Sequence, residues 1–303
     1  MPIVFPQPAL RFVCISDTHN DNPTARIPAG DIFIHAGDMT DTGTLSELQN
    51  AFDWISALPH AVKIVVAGNH DLGLDPGHKD FDPKAVDLFT SAAAKATGIY
   101  YLYQEVRIVA QYITDDATLA AVRVYGNPKQ PDFLNMPYAF TYPPYPSPES
   151  VAAWAQAPNR QDGINIWVMH SPPINRLDAI NVPGGLTGCI AQYKRIAAAR
   201  PLLCVFGHYH FSWGAERVRW KNDHDHEVST TDILTLSEER KREQSLKLPE
   251  TRFHLSFASI TDNSLPSLEV GKETLFVNAS WMTMKKRKVE ERNFPLDISL
   301  RLP

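Results

Sequence analysis

Short unbroken apolar runs recur along the chain, separated by amphipathic stretches, and each run stops at Gly, Asp, Asn or His. Five carry the pattern: ALRFVCIS (9–16) before Asp17, DIFIHAG (31–37) before Asp38, AVKIVVAG (61–68) before Asn69, INIWVM (164–169) before His170, and LLCVF (202–206) before Gly207. Runs this short, without polar alternation, read as strands buried on both faces. Between them lie helical signals. Thr44 and Glu47 have capping-box spacing, and Leu45, Leu48, Phe52, Ile55 and Leu58 then follow at helical intervals as far as Pro59. Pro83 opens a second predicted helix through KAVDLFTSAAAKA, closed by Gly98, and residues 187–200 give a third.

Strand, helix, strand order in the first hundred residues implies right-handed crossovers and a largely parallel sheet. RIVAQYI and LAAVRVYG, near residues 107–126, leave no room for a helix between them, so they predict a hairpin and a mixed or second sheet. FVNAS (276–280) reads as a further strand. The polar stretch 221–270, with NDHDHE and SEERKREQ, reads as an insertion or mobile loop within one domain of 303 residues.

Composition narrows the function. Hydrophobic residues make up 44% and charged residues 21%, the balance of a folded globular chain, and the net charge of -5 gives no general attraction to phosphate backbones or anionic lipid. Long nucleic acid and membrane partners are therefore not expected, and an anionic substrate needs a local positive site. Cys14, Cys189 and Cys204 are too scattered for a disulfide framework or a CxxC metal site, and no run approaches the roughly 18 apolar residues of a membrane span. The expected location is cytoplasmic. KKRK (285–288) is short enough to read as a solvated loop before a nuclear signal, and the sequon at Asn278 matters only in a secreted chain.

The chemistry gathers at the strand ends. Ligands of open α/β sheets lie beyond the carboxyl ends of the strands, where this chain places Asp17 and His19, Asp38, Asn69 and His70, His170, and the pair His208 and His210. Taken singly, each Asp or Asn has the ordinary explanation of a turn or cap, and His170 that of a loop-bonding imidazole. Five strand ends carrying D-x-H, G-D, G-N-H, H and G-H-x-H are not five independent caps. Imidazoles at i and i+2 of an extended segment face the same side, so His208 and His210 are expected to reach one cluster, with Gly207 admitting close approach of the backbone. Carboxylates and imidazoles without thiolates suit first-row divalent metals, and seven ligand candidates exceed the needs of one ion that also keeps a position open. Outside this set, His35 reads as a satisfied core histidine, His60, His78 and His254 have no partner spacing, and His224 and His226 fall in the acidic loop. The aromatic segment from Tyr138 to Tyr145 reads equally as an extended loop and as the wall of a base-binding pocket.

SDTHN, HAGDMTD, AGNHD, MHSPP and FGHYH resemble the five blocks of the calcineurin-like metallophosphoesterase superfamily. The resemblance implies a four-layer αββα sandwich, an α/β fold of two mixed sheets flanked by helices. It implies that Asp17, His19, Asp38 and His210 hold one divalent metal and that Asp38 bridges to a second, completed by Asn69, His170 and His208, with Mn, Fe or Zn as the candidate ions. By the same resemblance His70 is the catalytic histidine beside the leaving oxygen, and Asp41 supplies the carboxylate that orients it. The implied reaction is hydrolysis of a phosphodiester by a metal-bridging hydroxide. Two divalent cations set against two carboxylates and a hydroxide leave one positive charge, which matches a diester's single negative one. Asp41 is followed by Thr42-Gly43, without the Arg of the phosphoprotein phosphatase motif GDxxDRG. VYGNPKQP (124–131), Gly188-Cys189 and ETLFVNAS instead resemble the metallophosphoesterase-domain-containing branch, related to class III cyclic nucleotide phosphodiesterases. A small phosphoester such as a cyclic nucleotide is the expected substrate. The alternatives are a phosphomonoester or pyrophosphate substrate at the same centre, and a non-catalytic metal-binding scaffold.

Overall fold

A computed structural model describes residues 3–179, 188–221, 227–236, 259–260, 268–283 and 292–303. In chain order the strands are β1 (Val4–Phe5), β2 (Ala9–Ile15), β3 (Ile32–Ala36), β4 (Val62–Val66), β5 (Ile99–Tyr101), β6 (Glu105–Ile113), β7 (Leu119–Asn127), β8 (Gln130–Pro131), β9 (Thr141–Tyr142), β10 (Ile166–Met169), β11 (Leu203–Phe206), β12 (Gly214–Trp220), β13 (Val228–Leu236), β14 (Ser259–Ile260), β15 (Glu273–Asn278) and β16 (Leu296–Arg301). The helices are α1 (Leu45–Ser56), α2 (Pro83–Thr90), α3 (Ala92–Ala96), α4 (Pro148–Ala155) and α5 (Ile190–Ala199). One sheet runs β14-β16-β2-β3-β4-β5 and the other β1-β6-β7-β10-β11-β15-β12-β13, with β8 and β9 paired separately. Both are mixed. The run β2 to β5 is parallel, as is β7-β10-β11-β15, while β6 with β7 and β16 with β2 are antiparallel.

Alternation along each strand builds three packed layers. Phe12, Cys14, Ile34 and Ile64 of the first sheet meet Val124, Ile166, Val168 and Val205 of the second. Val13, Ile15, Phe33 and Val65 point the other way, onto Leu48, Ile55 and Phe89 of α1 and α2. On the outer face of the second sheet, Trp167, Cys204 and Phe276 pack with Trp154 and Ile196 of α4 and α5. The result is the αββα sandwich. At one end a bridge between Ser16 and Ser280 laces the two sheets together, with Ser16 N on Ala279 O at 2.9 Å and Trp281 N on Ser16 O at 2.7 Å.

The elements follow the sequence pattern with three instructive departures. Thr44 does form a capping box with Glu47 at the start of α1. The helix expected from Pro83 to Gly98 is broken at Ser91, which is extended (φ -60, ψ 168) and whose hydroxyl accepts from Ala94 N, so one apolar run makes two helices. The third helix begins at Ile190, capped by the Cys189 thiol, and closes at Arg200 in the left-handed region. Within the stretch expected to be loop, Val228–Leu236 is a strand on the edge beside β12. Its exposed Ser, Thr and Asp positions give the polar reading. His224, His226, His254 and the basic run 285–288 lie outside the described residues.

Candidate metal centre

The loops that leave β2, β3, β4, β10 and β11 meet at the laced end of the sandwich, and their backbone there is unusual. Asp17, His19, Asn20, Asp38 and His208 all have positive φ, between 42° and 66°. Side-chain-bearing residues avoid this region at a cost of about 1–2 kcal/mol each, and such strain collects at functional sites. Glycines make the remaining room. A Cβ on Gly68 would fall 2.2 Å from Asp38 Oδ1, and one on Gly207 would fall 2.2 Å from Asp17 Oδ2.

Three trios of side chains place their ligating atoms within 4.8 Å of one another: Asp17, His19 and His210; Asp38, His170 and His208; and His19, Asp38 and His70 between them. Asp17 Oδ1 stands 3.4 Å from His210 Nε2. Asp38 Oδ2 faces both sides, 3.2 Å from His170 Nε2 and 3.7 Å from His19 Nε2. Asn69 Oδ1 lies 3.1 Å from His170 Nε2. The structure therefore brings together every metal-ligand candidate named from the sequence, and His70 with them.

The electrostatics favour a cation. Burial works to raise the Asp17 and Asp38 carboxyls, but His210 and His170 outweigh it and hold both below the ordinary range. Burial lowers His170, yet Asp38 prevails and lifts it to about 9. Burial lowers His19 and takes His208 down to about 3, which suits rings that bind a cation, while on His170 an ion would take the place of the proton that Asp38 retains. His170 Nδ1 donates to Ala36 O at 2.9 Å, which leaves Nε2 to the site, and His19 Nε2 is buried without a hydrogen-bond partner. Carboxylate, amide and imidazole donors without a thiolate fit divalent first-row ions. The three cysteines are buried elsewhere as free thiols.

Two local readings change. The segment after Gly207 is not extended: His208 is left-handed and His210 opens a short 3-10 turn, His210–Ser212. The two rings consequently serve different trios, His208 packing on His170 at 5.0 Å and His210 on His19 at 5.4 Å between centroids. For Asp41, the atom that meets His70 Nδ1 is the main-chain carbonyl, at 2.7 Å, while carboxylate Oδ1 stands 3.3 Å from His19 Nδ1.

Sequence reasoning passed over Asp71, whereas the segment that begins at Tyr138 was offered as a pocket wall. Asp71 is fully buried and accepts from Met39 N, Thr40 N, Thr40 Oγ1 and Gly68 N at 2.8–3.3 Å, tying the loop of Asp38 to that of Asn69. Its position in GNHD was the available signal. Tyr138 lays its ring 5.0 Å from that of His70, and the next residue, Ala139, donates its N–H to Asn69 O at 3.0 Å. His35 is a core histidine as expected but only half satisfied: its Nε2 lies 3.0 Å from Thr18 Oγ1, while Nδ1 is buried without a hydrogen-bond partner.

An αββα sandwich that gathers carboxylate, amide and imidazole donors at one edge defines a metal-centre protein of the phosphoesterase fold. The chain belongs to the calcineurin-like phosphoesterase family, whose model matches residues 10–212, the span that contains every site residue named above. It is similar to human metallophosphoesterase domain-containing protein 1, with 33% identity over 207 residues, 67% of this chain and 61% of that protein. The UPF0046 protein K07C11.7 of Caenorhabditis elegans is 30% identical over 207 residues, 68% of this chain and 66% of its own. The chain thus spans about three fifths of the human protein's length. Among solved structures, TT1561 of Thermus thermophilus superposes with a TM-score of 0.42 at 11% identity, over 66% of this chain and 81% of that one.

Proposed function

We propose that this protein is a two-cation phosphodiesterase for small substrates, cyclic nucleotides among them. The observation that supports the reading is the position of Asp38, whose Oδ2 faces an imidazole of each outer trio and could serve a cation on either side. Asp17, His19 and His210 would complete one position and Asn69, His170 and His208 the other. Manganese, iron and zinc all accept this donor set. When bound, such cations supply Lewis-acid charge and a nucleophilic water at neutral pH.

The chain's own residues supply the rest. With the Nδ1 proton held by Asp41 O, His70 presents Nε2 to the departing oxygen, and only as the imidazolium, with both nitrogens protonated, would it give that oxygen a proton and keep its own on Nδ1. The Tyr138 ring beside His70 supports a leaving group with a flat, heterocyclic part. The two site carboxylates leave two divalent cations with enough charge for a diester monoanion. The overall charge of -5 argues against long nucleic acid, and the buried free thiols suit a cytoplasmic setting.

The test is turnover of bis-p-nitrophenyl phosphate against p-nitrophenyl phosphate in manganese, zinc and iron, followed by a set of cyclic nucleotides. The diester is expected to be the better substrate, with Asp38→Ala and His210→Ala abolishing its hydrolysis. Faster monoester hydrolysis would move the reading to a phosphomonoesterase. No turnover with any ion would leave a metal-binding scaffold.

A further inference from the structure

We infer that the Asp41 carboxylate is a positioning group for the metal ligand His19, and that it takes no part in orienting His70. This goes beyond the proposed reaction but rests on the metal centre that reading assumes. The residue turns two different faces to two histidines. Its main-chain carbonyl occupies His70 Nδ1 at 2.7 Å, so that imidazole is oriented by an atom no side-chain substitution removes. Its side chain points elsewhere: Oδ1 stands 3.3 Å from His19 Nδ1, and Oδ2 accepts from Asn20 Nδ2 at 3.0 Å.

The direction of the carboxylate is held by its surroundings. Asn20, left-handed at φ +65, uses the same amide nitrogen to reach Glu47 Oε1 at 2.8 Å, so one NH2 group bridges two carboxylates. Glu47 Oε2 in turn accepts from Thr42 N at 3.2 Å, Thr42 Oγ1 at 2.6 Å and Thr44 N at 3.1 Å. The residues on either side of the Asp41 loop are thereby pinned to the start of α1. The capping box that begins this helix is also the clamp that aims the Asp41 side chain.

The consequence for His19 is chemical. A carboxylate oxygen 3.3 Å from Nδ1 favours the proton on that nitrogen and leaves the Nε2 electron pair to an ion. Nε2 is the His19 atom that is buried without a hydrogen-bond partner and faces Asp38. Removing the Asp41 carboxylate should therefore weaken ion binding and leave the His70 proton donor as it was.

The experiment uses Asp41→Asn and Asp41→Ala in the full chain. The side chain is 57% exposed, so neither opens the core, and circular dichroism verifies the fold. Manganese and zinc affinities are measured by isothermal titration calorimetry. The pH profile of kcat on bis-p-nitrophenyl phosphate is then recorded at saturating metal. The expected result is a loss of affinity of roughly 10- to 100-fold at one of the two positions, with turnover recovered by excess metal and an unmoved pH profile. Wild-type affinity in both variants overturns the inference. So does a shifted pH profile at saturating metal, whatever the affinity, because it returns the carboxylate to His70. Calorimetry needs no substrate, so a protein that binds ions without turning over any ester tests this inference while refuting the proposed function.

Discussion

Gly207 is a point at which one added methyl group should strike a metal-ligand candidate directly. A Cβ there would lie 2.1 Å from Ser16 Oγ, 2.2 Å from Asp17 Oδ2 and 2.5 Å from Ser16 Cβ, all far inside the contact distance of about 3.5 Å. The backbone has nowhere to retreat, because Gly207 N donates to His170 O at 2.8 Å and Gly207 O accepts from Tyr209 N at 2.7 Å. Asp17 must give way. In doing so it loses the His208 N–H, shared between its two oxygens at 3.0 Å each, and its approach to His210. Overpacking costs about 1–3 kcal/mol and a lost hydrogen bond to a charged group about 1.5–3 kcal/mol, so Gly207→Ala should lose roughly 3–5 kcal/mol. Gly163→Ala is the control. Gly163 has positive φ, 61°, but nothing lies within 4 Å of its Cβ position, so only backbone strain of about 1–2 kcal/mol applies. Urea denaturation gives the stabilities and calorimetric titration with manganese the affinity, which should fall for Gly207→Ala and hold for Gly163→Ala. If Gly207→Ala unfolds within about 1 kcal/mol of the parent and binds manganese equally well, the steric argument fails.

Three further outcomes follow from buried charge. Burial takes His35 down to about 3, whereas the unfolded chain titrates it near pH 6.5. Below that pH only the unfolded state gains the proton, so stability is lost as pH falls from about 6.5 towards 3, by about 2 kcal/mol at pH 5. His35→Gln should shrink the difference in urea stability between pH 7.5 and 5.0 by that amount, and an unchanged difference counts against it. Arg217 pairs with buried Glu273 through Nε at 3.1 Å and a second nitrogen at 2.5 Å, with Arg219 also on Glu273 at 2.9 Å. Arg217→Met strands that carboxylate, and because Arg219 remains the loss should be near the lower end of the usual 3–5 kcal/mol, read by thermal unfolding. Chelation should lower the melting temperature, and manganese at 100 times its dissociation constant should restore about 2.7 kcal/mol. A melting curve indifferent to both treatments would remove the cations from the folded state.

Much of this architecture is legible because burial on both faces leaves strands as bare apolar runs, and because the chain then has to turn at the residue that carries the chemistry. Asp17, Asp38, Asn69, His170 and His208 are visible on those grounds. What escapes depends on dihedral angles and loop tilt. The run after Pro83 holds helix-compatible residues on both sides of Ser91, PKAVDLFT before it and AAAKA after, so nothing in its periodicity announces the break. Val228–Leu236 hides as loop because its exposed edge is polar. The direction of the Asp41 side chain is set by Asn20 and Glu47, neighbours that only the folded chain supplies.

The centre draws Asp17, His19, Asp38, Asn69 and His70 from loops of one sheet and His170, His208 and His210 from loops of the other. A cation held there would act as a rivet between the early and late parts of the polypeptide. A nascent chain emerging from the ribosome could not complete this ligand set until His210 has been made, so ion loading would report that both sheets have come together.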